Sequence, residues 1–293
     1  MLELKDLTKT FGKVKALDGL NLCVPQGAVY GLVGPNGAGK TTAIRHIAGV
    51  YRPDSGSVTL EGMDIYENTV AKSRIGFIPD DLFFFGSASI QDMKRYYAGI
   101  YPRFDEELFK KVGEAFPLPM KDPIKRFSKG MKKQAAFWLT IACRPELLIL
   151  DEPVDGLDPV MRRQVWSLIL SDVADRGATV LVSSHNLREL EDICDHVGIM
   201  NQGKMLLQRS LADMQSGICK VQMVGDPPEN LEILHESNSG RLKTLVVRSN
   251  PDGLEAKLAG QNLTYYDILP LSLEEIFIYE LGGADYEIKN IIL

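Results

Sequence analysis

Two kinds of hydrophobic pattern divide the first 215 residues. Near the start, "LELKDLT", "LNLCV" and "SVTLEG" alternate apolar and polar positions. A period of two predicts half-buried antiparallel strands. A second set, "AVYGLVG", "RIGFIP", "LLILDEP" and "TVLVSSH", is apolar without interruption. Such runs fit strands buried on both faces of a parallel sheet. Between about Leu82 and Arg144 the period becomes helical, as in "QDMKRYYAGIY" and "MKKQAAFWLTIA", and it is helical again in "MRRQVWSLILSDVADRG" and "NLRELEDICDHV". From residue 216 the pattern changes. Short strand-like runs, "KVQMVG", "KTLVVRS" and "TYYDIL", accompany two helical stretches, "GLEAKLAG" and "SLEEIFIYELGG". Ser272 and Glu275 have the spacing of a capping box for the last helix. Residues 1–215 and 216–293 are therefore expected to form a larger and a smaller α/β domain, with a helical subdomain at about 82–144. There is no low-complexity segment, fixed-period repeat or sustained heptad.

Each buried run ends in polar chemistry. "GLV" leads into "GPNGAGKTT", "GFIP" into Asp80 and Asp81, "LLIL" into Asp151 and Glu152, and "VLVSS" into His185. In an open parallel sheet, ligands bind beyond the carboxyl ends of the strands. Four strand tips are thus expected to converge on one site.

Composition narrows the classes. Of 293 residues, 45% are hydrophobic and 25% charged, as in ordinary globular proteins, and the formal net charge is -6. That charge argues against a general nucleic-acid partner, which calls for a basic face. The N-terminus, "MLELKDLTKTFGK", lacks the apolar core of a signal peptide. No run approaches the roughly 20 apolar residues that span a bilayer. Cys23, Cys143, Cys194 and Cys219 lack metal-ligand spacing and read as reduced structural thiols of a cytosolic protein.

The chemistry begins at "GPNGAGKT", a G-x-x-x-x-G-K-[ST] phosphate loop comprising Gly34, Pro35, Asn36, Gly37, Ala38, Gly39, Lys40 and Thr41, with Thr42 following. Its glycines let backbone N–H groups approach phosphate oxygens, and a helix starting near Lys40 adds its positive end. Lys40 reaches the β- and γ-phosphates, and the Thr41 hydroxyl suits Mg²⁺. In "LLILDEP", Asp151 fits a Mg²⁺-holding carboxylate acting directly or through water. Glu152 is placed to deprotonate an attacking water. The predicted fold class is α/β: a P-loop NTPase with a parallel core sheet, an antiparallel β subdomain and an α-helical subdomain, plus a small C-terminal α/β domain.

Taken in order, the phosphate loop, "RFSKGMKKQ", "LLILDEP", "DGLDP" and "VSSH" resemble the ATP-binding cassette (ABC) ATPases over residues 1 to about 215. The resemblance implies roles. "FSKGM" resembles the family signature, with Ser128 and Gly130 facing the γ-phosphate held by an opposite protomer. Ser128 is also a plausible helix N-cap. Asp158 is implied as the acid of the loop across the dimer interface. His185 is implied as the switch histidine at the γ-phosphate, and Phe11 as the aromatic stacked on adenine. ATP and Mg²⁺ are the implied cofactors.

Two departures stand out. Lys129 and Met131 replace the glycine and glutamine usual in the signature, and the lysine adds positive charge near the expected triphosphate. Asp80 stands where the family's Q-loop carries glutamine; it either contacts the metal more strongly or reaches it only through water. Lys132 and Lys133 are expected on a solvated face. Phe83, Phe84 and Phe85 cannot all face inward on one helix or strand, so at least one is expected to be exposed. They are either helical-subdomain core or a grip on an integral membrane permease, which the resemblance places there. The implied function is the ATP-hydrolysing subunit of an exporter-type transporter, peripheral at the cytoplasmic face of the membrane, with a second ATP-binding subunit completing a homodimer or heterodimer. Two other readings compete: a cassette protein acting on ribosomes or DNA, and a small-molecule kinase. Translation-factor relatives normally carry two cassettes and this chain has one, while a kinase would leave "FSKGM" and "DGLDP" without a job.

Overall fold

Alternation along the first strand lays one face of a small sheet against the core. In the computed structural model, which describes residues 1–228, 230–259 and 263–281, β1 (Leu2–Phe11) pairs antiparallel with β2 (Val14–Val24) on one side and β4 (Ser55–Leu60) on the other. The short β5 (Met63–Asp64) completes the order β2-β1-β4-β5. Leu2, Leu4 and Leu7 point inward with Leu20, Leu22 and Val58.

The continuous apolar runs form the second sheet, β3 (Val29–Val33), β6 (Ile75–Ile78), β7 (Leu147–Asp151) and β8 (Thr179–Ser184). Every residue of β3, β7 and β8 is buried. β3 pairs with β8, β8 with β7, and β7 with β6, all parallel. Asp151 lies opposite Ser183, and Val33 opposite Ser184, so the tips end level. β9 (His196–Asn201) and β10 (Lys204–Ser210) extend this sheet to β10-β9-β3-β8-β7-β6.

The helices of this part are α1 (Lys40–Ile47), α2 (Thr69–Lys72), α3 (Ile90–Ile100), α4 (Glu106–Ala115), α5 (Lys129–Ala142) and α6 (Pro159–Arg176). α3 starts with a capping box between Ser89 and Asp92. Hydrogen bonds from the Ser89 hydroxyl and N–H, with Arg95 nearby, pull the Asp92 carboxyl down to about 2. α4 and α5 meet where Trp138 stacks on Phe109 at 4.8 Å and donates its indole N–H to the Phe109 carbonyl at 2.6 Å.

The chain divides into two units, Met1–His185 with Gly198–Gln208, and Asn186–Val197 with Arg209 onward. The second unit contains α7 (Arg188–Glu191), α8 (Leu211–Gln215), β11 (Ile218–Val224), β12 (Ile233–Ser239), β13 (Leu242–Arg248), α9 (Pro251–Ala259), β14 (Tyr265–Leu269) and α10 (Leu273–Leu281). Its sheet is antiparallel in the order β12-β13-β11-β14. Val221, Met223, Leu245, Val247, Leu254 and Leu258 form its core. Ser272 and Glu275 make the reciprocal bonds of the predicted capping box, at 3.2 and 2.9 Å.

The helix expected over "NLRELEDICDHV" shrinks to the four residues of α7, because the chain enters β9 at His196. β12 was not anticipated, and most of its residues are exposed, which leaves no alternation to read. All four cysteines are free thiols; Cys23 is exposed and the other three are buried. Burial pushes the Cys143 thiol up to about 12 and raises those of Cys194 and Cys219. Among the described residues, no helix is long and apolar enough to cross a membrane.

Candidate active site

A cleft of about 500 Å³ opens at the level strand tips. Its floor is the phosphate loop. Gly39 sits at φ 103 as the N-cap of α1, a left-handed conformation costly for residues with a Cβ, and a Cβ there would press on the Ala16 carbonyl. Gly34 is equally constrained, since a Cβ would run into the Met200 carbonyl. Asn36, Gly37, Ala38, Gly39, Lys40, Thr41 and Thr42 all line the cleft. Lys40 is buried, and its ammonium donates to the Gly34 and Pro35 carbonyls at 2.5 and 3.3 Å. Burial lowers its pKa, against the pull of Glu152 and Asp151.

The acid pair sits opposite. Asp151, 3% exposed, accepts from the Ser183 hydroxyl at 2.5 Å and from the Thr41 hydroxyl at 3.4 Å. An all-oxygen set of hydroxyl and carboxylate beside a phosphate loop fits a hard divalent cation that keeps most of its waters. Glu152 follows at φ 47, a left-handed conformation uncommon outside glycine. Its N–H donates to the Ser183 carbonyl and hydroxyl at 3.2 and 3.3 Å. Its carboxylate lies 3.0 Å from His185 Nδ1. Burial raises the Glu152 pKa, while the His185 hydrogen bond and Lys40 oppose the rise. A carboxylate held this way is primed to accept a proton.

Asp80 lines the same cleft from the end of β6. Phe11 does not line it; the ring packs edge-on against Tyr51 at 5.5 Å, with the Lys9 ammonium 5.6 Å from its centroid. Val14, Lys15, Ala16, Gln202 and Gly203 do line it and were not foreseen. Only their place beside Gly39 and Ala38, set by backbone contacts such as Gly203 N–H to the Ala38 carbonyl, brings them there.

Ser128, Gly130 and Asp158 are not part of this cleft. Ser128 caps α5 by accepting from the Met131 N–H at 3.2 Å; the other N–H groups of a first helical turn have no acceptor within the helix. Asp158 caps α6 by accepting from Val160 and Met161, with Pro159 at the first helical position. The signature lysine is not a free charge: Lys129 pairs with Asp155 at 2.9 Å.

The expectation for Lys133 fails. It is fully buried, not solvated. Its ammonium donates to the Glu152 carbonyl at 2.7 Å and lies 3.9 Å from Asp80. Of the three phenylalanines, Phe83 is 82% and Phe85 49% exposed, and Phe84 is half-buried. Phe83, Phe85 and Tyr96 form a chain of edge-to-face contacts at 6.3 and 5.2 Å.

The chain is similar to known proteins of one family. The ABC transporter family model matches residues 17–155. The chain is 30% identical to the ABC transporter ATP-binding protein YtrB of Bacillus subtilis, over 97% of this chain and 99% of that one. It is 31% identical to the bacitracin transport ATP-binding protein BcrA of Bacillus licheniformis, over 97% and 98%. A solved ATP-binding subunit of an ABC transporter superposes with a TM-score of 0.68 at 27% identity, covering 73% of this chain and 92% of that one.

Proposed function

We propose, on the premise that the chain belongs to the ABC transporter family and is the ATP-binding, ATP-hydrolysing subunit of such a transporter, the following division of labour among its residues. The observation that carries it is that Lys40, Thr41 and Glu152 line one cleft, with Asp151 hydrogen-bonded to Thr41 and His185 to Glu152 just behind them. The phosphate loop and Lys40 hold the triphosphate, and Thr41 and Asp151, with Asp80, hold Mg²⁺. Bound there, the cation would supply positive charge to offset that of the triphosphate. Glu152 accepts a proton from water as its oxygen attacks the γ-phosphorus. The bond to the β-phosphate bridging oxygen breaks, giving ADP and phosphate. His185 orients the Glu152 carboxylate and lies toward the γ-phosphate. Phe11 offers its exposed ring to adenine.

Ser128, Gly130 and Asp158 lie away from the cleft of their own chain, which fits service to a second copy. The capped start of α5 offers N–H groups to an anion. Two ATP-binding subunits then enclose ATP head to tail, as a homodimer or heterodimer. The subunit acts peripherally at the cytoplasmic face of a membrane, driving an integral permease that contacts Phe83, Phe85 and Phe84. An exposed aromatic cluster of this kind marks an interface. Phe83 is its most exposed member.

Affinity purification of the Glu152→Gln chain from detergent-solubilised host membranes with ATP tests this reading. A multi-spanning protein is expected to co-purify, and Phe83→Asp to weaken its recovery. Recovery of only ribosomes, nucleic acid or soluble partners would overturn the transporter assignment for this chain.

A further inference from the structure

Two lysines are buried among the described residues, Lys40 and Lys133. The phosphate loop accounts for Lys40. Nothing in that loop accounts for Lys133, which lies on α5, one turn beyond Lys129. Burying an ammonium is costly unless its protons are hydrogen-bonded and a counter-charge is close. Both conditions are met by residues of the cleft. The Glu152 carbonyl accepts from Lys133 at 2.7 Å, and an Asp80 carboxylate oxygen lies at 3.9 Å. That carbonyl has one weaker main-chain donor, the Asp155 N–H at 3.4 Å.

The contact falls on a strained residue. A left-handed non-glycine conformation costs on the order of 1–3 kcal/mol and persists only where its surroundings over-determine it. At Glu152 the surroundings are three: Ser183 holds the N–H, Lys133 the carbonyl, and His185 the carboxylate. Remove the middle one and the turn that aims the carboxylate loses its strongest main-chain acceptor bond. Meanwhile Asp80, half-exposed in the cleft, loses its buried counter-charge. A space-filling role alone would need only the methylene stem, which methionine supplies.

We propose that Lys133 is a positioning residue for ATP hydrolysis: its ammonium links the Asp80 carboxylate, at the end of β6, to the main chain of Glu152. A ligand that moves Asp80 therefore moves the carbonyl of the general base. The inference rests on the assignment of Glu152 as that base.

The test uses the full chain with three substitutions, Lys133→Met, Lys133→Gln and Asp80→Asn, alone and combined. Steady-state kcat and KM for ATP, binding of a fluorescent ATP analogue, and the melting temperature are measured for each. Misplacing a reacting group by an ångström costs about 10²-fold in rate. Lys133→Met is expected to lower kcat by about 30-fold or more, with analogue affinity within about threefold of wild type. Lys133→Gln retains a donor for the Glu152 carbonyl and is expected to recover part of that loss. In both kcat and melting temperature, Asp80→Asn should matter less once Lys133 is gone. A folded Lys133→Met chain with unchanged kcat, or with its loss confined to KM, overturns the proposal. So do Asp80 and Lys133 effects that combine independently in both readouts. If Lys133→Met does not fold, Lys133→Gln alone decides by the same criteria. Glu152→Gln separates the two ideas: normal hydrolysis in that variant removes the base assignment, whereas independence of Asp80 and Lys133 removes only the link between them.

Discussion

The unit that holds the cleft and the unit that begins again at Arg209 solve the problem of polar groups in opposite ways. In the first, charge goes inside: Lys40, Lys133 and Asp151 are buried, with Ser183 and Ser184 beside them. Among the described residues, the second unit buries no charged or polar side chain. Its ions sit at the surface in pairs such as Lys220 with Glu275 and Arg188 with Glu274. Backbone strain divides the same way. The described non-glycine residues at positive φ are Asp6, Glu61, Glu67, Arg144, Glu152 and Gln202, all in the first unit. Buried charge and strain are tolerated where bonds are made and broken. A unit without either is built for shape, and its apolar core should be its main source of stability.

Three measurements would break or sharpen this contrast. Leu258, fully buried on α9, should be the most costly to lose. Leu258→Ala is expected to destabilise the C-terminal unit by about 2–5 kcal/mol in urea unfolding. ATP-analogue affinity should stay unchanged; a matching loss of affinity would show that the second unit shapes the cleft, and the contrast would fall. Next in size, Lys40→Ala removes charged hydrogen bonds to phosphate, worth about 1.5–3 kcal/mol. Nucleotide affinity should fall by about ten- to a hundredfold by equilibrium titration, with the melting temperature no lower, since an expensive buried charge is removed as well. Unchanged affinity would detach Lys40 from the triphosphate. Smallest is Ser272→Ala, which removes the cap of α10 and should cost about 1 kcal/mol of unfolding free energy. A loss several times larger would mean that the second unit depends on polar detail as much as the first does.

Much of the first unit was legible because its physics is local. A strand buried on both faces must be apolar throughout, so β3, β7 and β8 declared themselves, and the polar residue after each run had to lie at a tip. The phosphate loop is legible for the same reason, since its glycines answer to the turn itself. Lys133 was not. In "KGMKK" it looks like any lysine on the first turns of a solvated helix, and its partners, Asp80 and Glu152, come from other strands. Lys129 hid its Asp155 pair in the same manner. Gln202 and Gly203 carry no motif, because they enter the cleft only through the return of β9 past the phosphate loop. The edge strand β12 escaped because an exposed strand needs no hydrophobic period. Over 187–195, leucines at helical spacing promised a long helix that the entry into β9 cuts short.

The cysteines also give the chain a built-in reporter position. Three thiols are buried, and burial keeps them protonated well above neutral pH. Cys23, on β2, faces solvent. A maleimide dye added to the folded protein near neutral pH should therefore attach at one place, on the antiparallel sheet. Two labelled copies would then report by energy transfer whether the proposed pairing of copies on ATP takes place, without a single residue having been engineered.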